Sequence, residues 1–341
     1  MAGSGTAPLR RPDEVILQVE HLRVEFRAGR NATVQAVSDV SFDAAPGETI
    51  GLVGESGCGK TTTGRAIVQL PPPTAGNVRL GGVDLTCLHG ADLRRARRRI
   101  QLIFQDPISS LNPRRKVTDI VAEPMVIAGV KDNRRHRVNE VLEAVGLTAE
   151  LAGRRPHELS VGQCQRVSIA RALILDPEVL ICDEPVSSLD VSVQAQILNL
   201  LEDMKGRYGL TLLFISHDLS VVKNISDRVV VMYLGKLCEL APTEDLYRSP
   251  MHPYTRALIA SIPSANGDRD GGGTALAGEL PSPLAPPSGC RFRTRCPLAQ
   301  DRCAVEEPLM TEARPGHFVA CHFPAGGAEF MNPTDSAPPA L

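Results

Sequence analysis

Nowhere in these 341 residues is there a run approaching the roughly 18 consecutive apolar residues that a helix needs to cross a bilayer. Any contact with a membrane must therefore be local. Charge of one sign is also lacking, since 37 basic and 39 acidic residues leave a net charge of −2. That balance gives no overall field to draw in nucleic acid or an anionic surface. The opening MAGSGTAPLRRPDE has none of the apolar core that a secretory signal carries, so the chain is expected in the cytosol. There its nine cysteines read as reduced thiols, either core residues or ligands, before disulfides. Aromatic residues are scarce at 4%, whereas a hydrophobic share of 43% is ordinary for a globular protein with a real core.

What is present is organised around GLVGESGCGKTT, Gly51 to Thr62, which leads into the helix-like GRAIVQL. It fits the phosphate-loop pattern G-x-x-x-x-G-K-[ST] at Gly54, Gly59, Lys60 and Thr61. Glycines are needed because successive backbone N–H groups must curl around an anion, and a Cβ would block both the turn and the approach of the phosphates. Glu55, Ser56, Gly57 and Cys58 complete the cradle. Lys60 would reach the β- and γ-phosphates of ATP, Thr61 would place its hydroxyl on Mg²⁺, and Thr62 opens a helix whose N-terminus adds partial positive charge.

Around this loop the chain alternates strand and helix. Residues 1–14 read as a flexible tail, and ILQVEHLRVEF and AVSDVSFDAAPGETIGLVG as three strands, the last two split by Pro46-Gly47. Phe26, 28 residues ahead of Gly54, is a candidate to stack on an adenine base, the alternative being a core residue. PTAGNVRLGGVDL reads as a hairpin. LRRARRRIQLIFQDP reads as a basic helix running into a buried strand, with its arginines on a solvated face. Gln105 ends that strand, where its amide would ligate a metal or position a water. Residues 117–147 then have helical periodicity, a block inserted into the alternation. VLICDE delivers Asp183 and Glu184 at a strand end, Asp183 to hold Mg²⁺ and Glu184 to polarise an attacking water. LSVGQ, Leu159 to Gln163, sets Ser160, Gly162 and Gln163 at another helix start, a second phosphate-binding element. With only one phosphate loop in the chain, that element is expected to serve a second copy. SSLD, Ser187 to Asp190, follows, and TLLFIS then ends at His217, whose imidazole would contact the γ-phosphate.

Taken together, these residues resemble the ATP-binding subunit of ABC transporters over about Val15 to Leu258. The order of the phosphate loop, Gln105, LSVGQ, Asp183-Glu184, SSLD and His217 carries the resemblance. It implies an α/β fold: a phosphate-loop ATPase core with an antiparallel β subdomain and an inserted helical subdomain, plus a small Cys-bearing C-terminal extension. It also implies a head-to-tail dimer that holds ATP between the loop of one copy and Ser160, Gly162 and Gln163 of the other, with Asp190 of SSLD also among the nucleotide-binding residues. Val161 stands where the family has Gly, and its Cβ is expected to crowd the γ-phosphate or perturb the turn. QDPISSLNPR, HPYTRALIASIP and the tail from GELPSPLAPPSG onward look like the oligopeptide/dipeptide importer ATPases, a pattern that nickel importers share. That resemblance implies a second ATPase subunit, two membrane permeases, an extracytoplasmic binding protein and a peripheral place on the cytoplasmic face of the membrane, with no nucleic acid partner. A soluble ABC ATPase is the rival; such proteins usually carry two cassettes.

The implied division is a cassette over 15–262 with its helical subdomain at about 107–175, a Gly- and Pro-rich linker over 263–288, a four-cysteine region over 289–329 and a disordered tail over 330–341. Cys290, Cys296, Cys303 and Cys321 fall within 32 residues that hold little apolar sequence of their own. They are expected to share a metal. An iron–sulfur cluster, which some importers of this resemblance carry, stands ahead of zinc because the spacing lacks C-x2-C pairs, and reduced thiols are the alternative.

Overall fold

The computed structural model describes residues 9–29, 32–262 and 278–325. The last residues, most of the expected linker and the first eight residues lie outside that range.

A hairpin of β1 (Leu17–Ala28) and β2 (Ala32–Ala44) opens the fold, and β3 (Thr49–Val53) then runs through the glycine-rich loop into α1 (Lys60–Ile67). A shorter hairpin, β4 (Ala75–Leu80) and β5 (Val83–Asp84), precedes α2 (Gly90–Ala96) and β6 (Ile100–Ile103). Before β7 (Val179–Asp183) the chain is helical, with α3 (Val117–Ile127), α4 (Arg134–Ala144), α5 (Ala149–Ala152) and α6 (Val161–Leu173). Next come α7 (Val191–Tyr208), β8 (Thr211–Ser216), α8 (Leu219–Ile225), the hairpin β9 (Arg228–Tyr233) and β10 (Lys236–Pro242), then α9 (Thr243–Arg248) and α10 (Pro253–Ala260). The C-terminal region adds α11 (Asp301–Val305), β11 (Thr311–Arg314) and β12 (His317–Val319).

Two sheets result. The smaller, in the order β2-β1-β4-β5, is antiparallel; the larger runs β11-β12-β10-β9-β3-β8-β7-β6 and is parallel from β9 through β6. Every residue of β3, β7 and β8 is buried, as expected of parallel strands covered on both faces. The period of two divides β7 between the faces. Leu180 and Cys182 join the core beneath the helical block, while Val179 and Ile181 face the small sheet and α1.

Two expectations are corrected by packing. The arginine run is not one solvated face: only Arg94 and Arg95 are exposed. Arg97 donates to the carbonyls of Val68 and Gln69, Arg98 to that of Ala128, and Arg99 pairs with Glu178, so these three staple neighbouring segments together. Nor does the four-cysteine region lack a core, because it borrows the cassette's. Strand β12 pairs with β10, Leu240 opposite Phe318, and Phe292 is 2% exposed with its ring 5.2 Å from Tyr233 and 5.4 Å from Tyr254. The buried carboxylate of Glu239 fastens the junction, accepting from the backbone N–H groups of Met251 and His252 and lying 2.7 Å from His317 Nε2.

Candidate nucleotide-binding site

Since β3, β8, β7 and β6 are parallel and in register, with Val53 opposite Ser216, Asp183 opposite Ile215 and Ile103 opposite Cys182, their C-terminal ends share one edge. An open α/β sheet presents its ligand crevice along that edge. The phosphate loop, Gln105, Glu184 and His217 follow the four strand ends and line a cavity of about 680 Å³, a volume suited to a nucleotide.

The loop's shape depends on glycine at two points. Gly54 has φ +152° and Gly59 φ +107°, and a Cβ would stand 2.1 Å from the Met232 carbonyl oxygen at the first and 2.2 Å from that of Ala36 at the second. Lys60 is buried, and its Nζ donates to the carbonyls of Gly54 at 2.7 Å and Glu55 at 3.0 Å, so its ammonium lies inside the curl. Ser56, Gly57 and Thr62 line the same cavity, whereas Cys58 packs into the core, where burial raises its thiol pKa.

Thr61 Oγ1 donates to Asp183 Oδ1 at 2.7 Å. Asp183 Oδ2 is buried without a hydrogen-bond partner, its nearest cation being Arg65 at 4.0 Å. Burial raises the Asp183 pKa, opposed by the Thr61 bond and the charges of Arg65 and Lys60. A carboxylate with an orphaned oxygen beside a threonine hydroxyl is a donor set that fits Mg²⁺. Next along the chain, Glu184 adopts φ +47°, a conformation that costs a non-glycine residue on the order of 1 kcal/mol and that turns its side chain off the strand. Its carboxylate accepts from Gln105 Nε2 at 3.0 Å and lies 3.2 Å from His217 Nδ1. A carboxylate so held between two side chains is fixed in direction and free to accept a proton.

Other predicted residues lie elsewhere. Phe26 is 40% exposed on β1 and does not line the cavity; Val34, its register partner on β2, does so with Ala36, Leu258 and Pro283. Ser160 and Gln163 form a reciprocal capping box at the start of α6, away from the cavity, and a Cβ on Gly162 would meet Val193 at 2.7 Å. Asp190 caps α7. Val161 is the first residue of α6 and 38% exposed, so its Cβ leaves the turn intact, contrary to that part of the expectation.

Two contacts with the loop were missed. Arg295 forms a two-pronged ion pair with Glu55, and Tyr254 Oη accepts the Glu55 backbone N–H at 2.8 Å. Nothing local links residues 240 positions apart, although Tyr254 lies in HPYTRALIASIP, one of the stretches that carry the resemblance. Cys290, Cys296, Cys303 and Cys321 line one small cavity together with His252 and His322. Burial pushes the thiols of Cys290 and Cys321 up to about 11 and about 12. As they stand, no three His, Cys, Asp or Glu side chains among the described residues are arranged to hold a metal ion, so the expected iron–sulfur or zinc centre is not formed by this geometry.

Such an arrangement is that of an ATP-binding cassette. The cassette MJ0796, in a dimeric post-hydrolysis state bound to ADP and Pi, matches 67% of this chain and 98% of its own at 27% identity, with a TM-score of 0.61. The sequence model of the ABC transporter family matches residues 37–187, and that of the oligopeptide/dipeptide transporter C-terminal region matches residues 238–303. The oligopeptide transport ATP-binding protein AppF of Bacillus subtilis is 49% identical over 320 residues, which cover 91% of this chain and 97% of AppF. Its counterpart OppF of Escherichia coli is 48% identical over 90% of this chain and 96% of OppF. The chain belongs to the ATP-binding proteins of ABC transporters, in the branch that carries the oligopeptide/dipeptide C-terminal region, and is an ABC-type ATPase. Among the described residues no helix is long and apolar enough to cross a membrane.

Proposed function

We propose that this chain binds and hydrolyses ATP to drive import of di- or oligopeptides through a membrane ABC complex. The observation that carries the reading is the Glu184 carboxylate, held between Gln105 and His217 on the cavity that the phosphate loop walls. The loop's N–H groups and Lys60 would grip the phosphates. Thr61 and Asp183, with Gln105 at their edge, would hold Mg²⁺, which supplies charge neutralisation to the phosphates when bound. Glu184 would take the proton of the attacking water, and His217 would orient the γ-phosphate. Ser160, Gly162, Gln163 and Asp190 sit apart from this cavity, which favours their serving a second ATPase subunit across a head-to-tail interface. The names of AppF and OppF favour oligopeptide as the cargo. Two permeases and an extracytoplasmic binding protein would complete the complex, with this chain at its cytoplasmic face. Vesicles holding the assembled complex test this: peptide uptake that requires ATP and Mg²⁺ is expected, and phosphate release without uptake of any peptide would overturn the transport reading.

We propose further that Cys290, Cys296, Cys303 and Cys321, which line one cavity, are the residues that would hold an iron–sulfur cluster or zinc in the loaded protein, in a geometry other than the one described above. Iron, sulfide and zinc content of anaerobically purified protein test it.

A further inference from the structure

One guanidinium from the C-terminal region reaches into the phosphate loop. Arg295 Nη1 and Nη2 donate to Glu55 Oε2 and Oε1 at 2.6 and 3.0 Å, with the Arg295 side chain only 5% exposed. Its Cζ lies 5.9 Å from the centre of the Tyr233 ring, which packs against Tyr254 and Phe292. Because Tyr254 accepts the Glu55 N–H, both the backbone and the carboxylate of this residue are fixed from outside the loop. Glu55 follows Gly54 directly and lines the nucleotide cavity. Left unpaired, its negative charge would stand free beside the phosphates. Arg291 makes a parallel tie, donating to the Leu234 carbonyl and, at 2.8 Å, to Gln35 Oε1, another lining residue.

We propose that Arg295 is a positioning residue for the phosphate loop: it neutralises Glu55 and holds it aside, so that the C-terminal region sets the cassette's affinity for ATP. The inference rests on reading the cavity as the ATP site. Its test is a set of full-length variants titrated with a fluorescent ATP analogue and assayed for phosphate release, with melting temperatures as the check on folding. Loss of a charged two-pronged bond predicts affinity about tenfold weaker or more for Arg295→Ala, read as a raised KM with kcat within about twofold. Arg295→Lys, which keeps the charge without the fork, recovers part of the loss. Arg295→Ala combined with Glu55→Gln recovers most of it, because no bare carboxylate remains. Arg293→Ala changes nothing, since its side chain donates to Ser288 within the same region and leaves the phosphate loop untouched. Unchanged affinity in Arg295→Ala, or a double variant no better than the single one, overturns the proposal. Lys60→Ala separates the two levels: if it still binds the analogue at full strength, the ATP-site reading fails and the inference falls with it.

Discussion

Replacing Glu184 with glutamine should remove chemistry while leaving binding intact. The site is arranged so that the substitution costs almost no geometry. A glutamine carbonyl oxygen would accept from Gln105 Nε2, 3.0 Å from the present carboxylate, and its amide would face His217 Nδ1, which accepts in one tautomer. Left-handed backbone at Glu184 is no more strained with Gln than with Glu. Lys60 and the loop are untouched. What is lost is proton acceptance, which contributes about 10²- to 10⁴-fold to such steps, or roughly 3–5 kcal/mol of barrier. Single-turnover phosphate release should therefore slow by about that factor, with ATP retained and a dimer trapped at substoichiometric hydrolysis. Hydrolysis at the unmutated rate would refute the assignment of Glu184 as the water-orienting carboxylate. A parallel loss of ATP affinity would refute the claim that the side chain acts only on the chemical step.

Lys60→Ala should give the opposite pattern, abolishing tight nucleotide binding, as read by equilibrium titration. Val161→Gly should leave nucleotide affinity nearly unchanged and raise turnover, since Val161 disturbs no turn in the free chain and would meet a phosphate only in a closed dimer; unchanged turnover would mean that the closed interface tolerates the side chain. His252 is fully buried, its Nδ1 accepts from the Tyr254 N–H, and burial pushes its pKa down to about 4. The unfolded chain then binds a proton between pH 6.5 and about 4 that the folded chain refuses, so stability falls as pH falls through this window, by about 2 kcal/mol between pH 7 and pH 5. His252→Asn keeps the cap acceptor and should flatten that part of the dependence of melting temperature on pH. If the four cysteines share a metal, Cys303→Ser should remove it without affecting ATP binding; metal-free wild-type protein with four titratable thiols ends that reading.

Legibility in the sequence followed range. The phosphate loop is legible because its demands are local: Gly54 and Gly59 hold backbone conformations that a Cβ forbids, and those glycines sit at fixed spacing from Lys60. Gln105, Glu184 and His217 were traceable to one edge because each ends an apolar run, and parallel strands in register bring such ends together. Arg295 on Glu55 could not be read, since a basic residue in a Cys- and Pro-bearing tail has no local sign of its partner. The same applies to Arg97, Arg98 and Arg99, which look like a charged face until the carbonyls they reach are known. The tail's borrowed core leaves no mark in the sequence for one reason: Phe292, Phe318 and Val319 are too few to make a core, yet enough to complete one.

The placement of β12 has a consequence for how the protein behaves in a crowded solution. Without that strand, β10 would be the margin of a large sheet, offering the unpaired backbone of Cys238, Glu239 and Leu240 to any other chain in extended form. The segment that covers it ends in β11, only four residues long, irregular between Glu312 and Arg314, and bearing both of those charges outward. A short, kinked, charged margin is a poor template for further strands. The C-terminal region thus acts as a stopper, converting a sheet edge prone to self-association into one that discourages it.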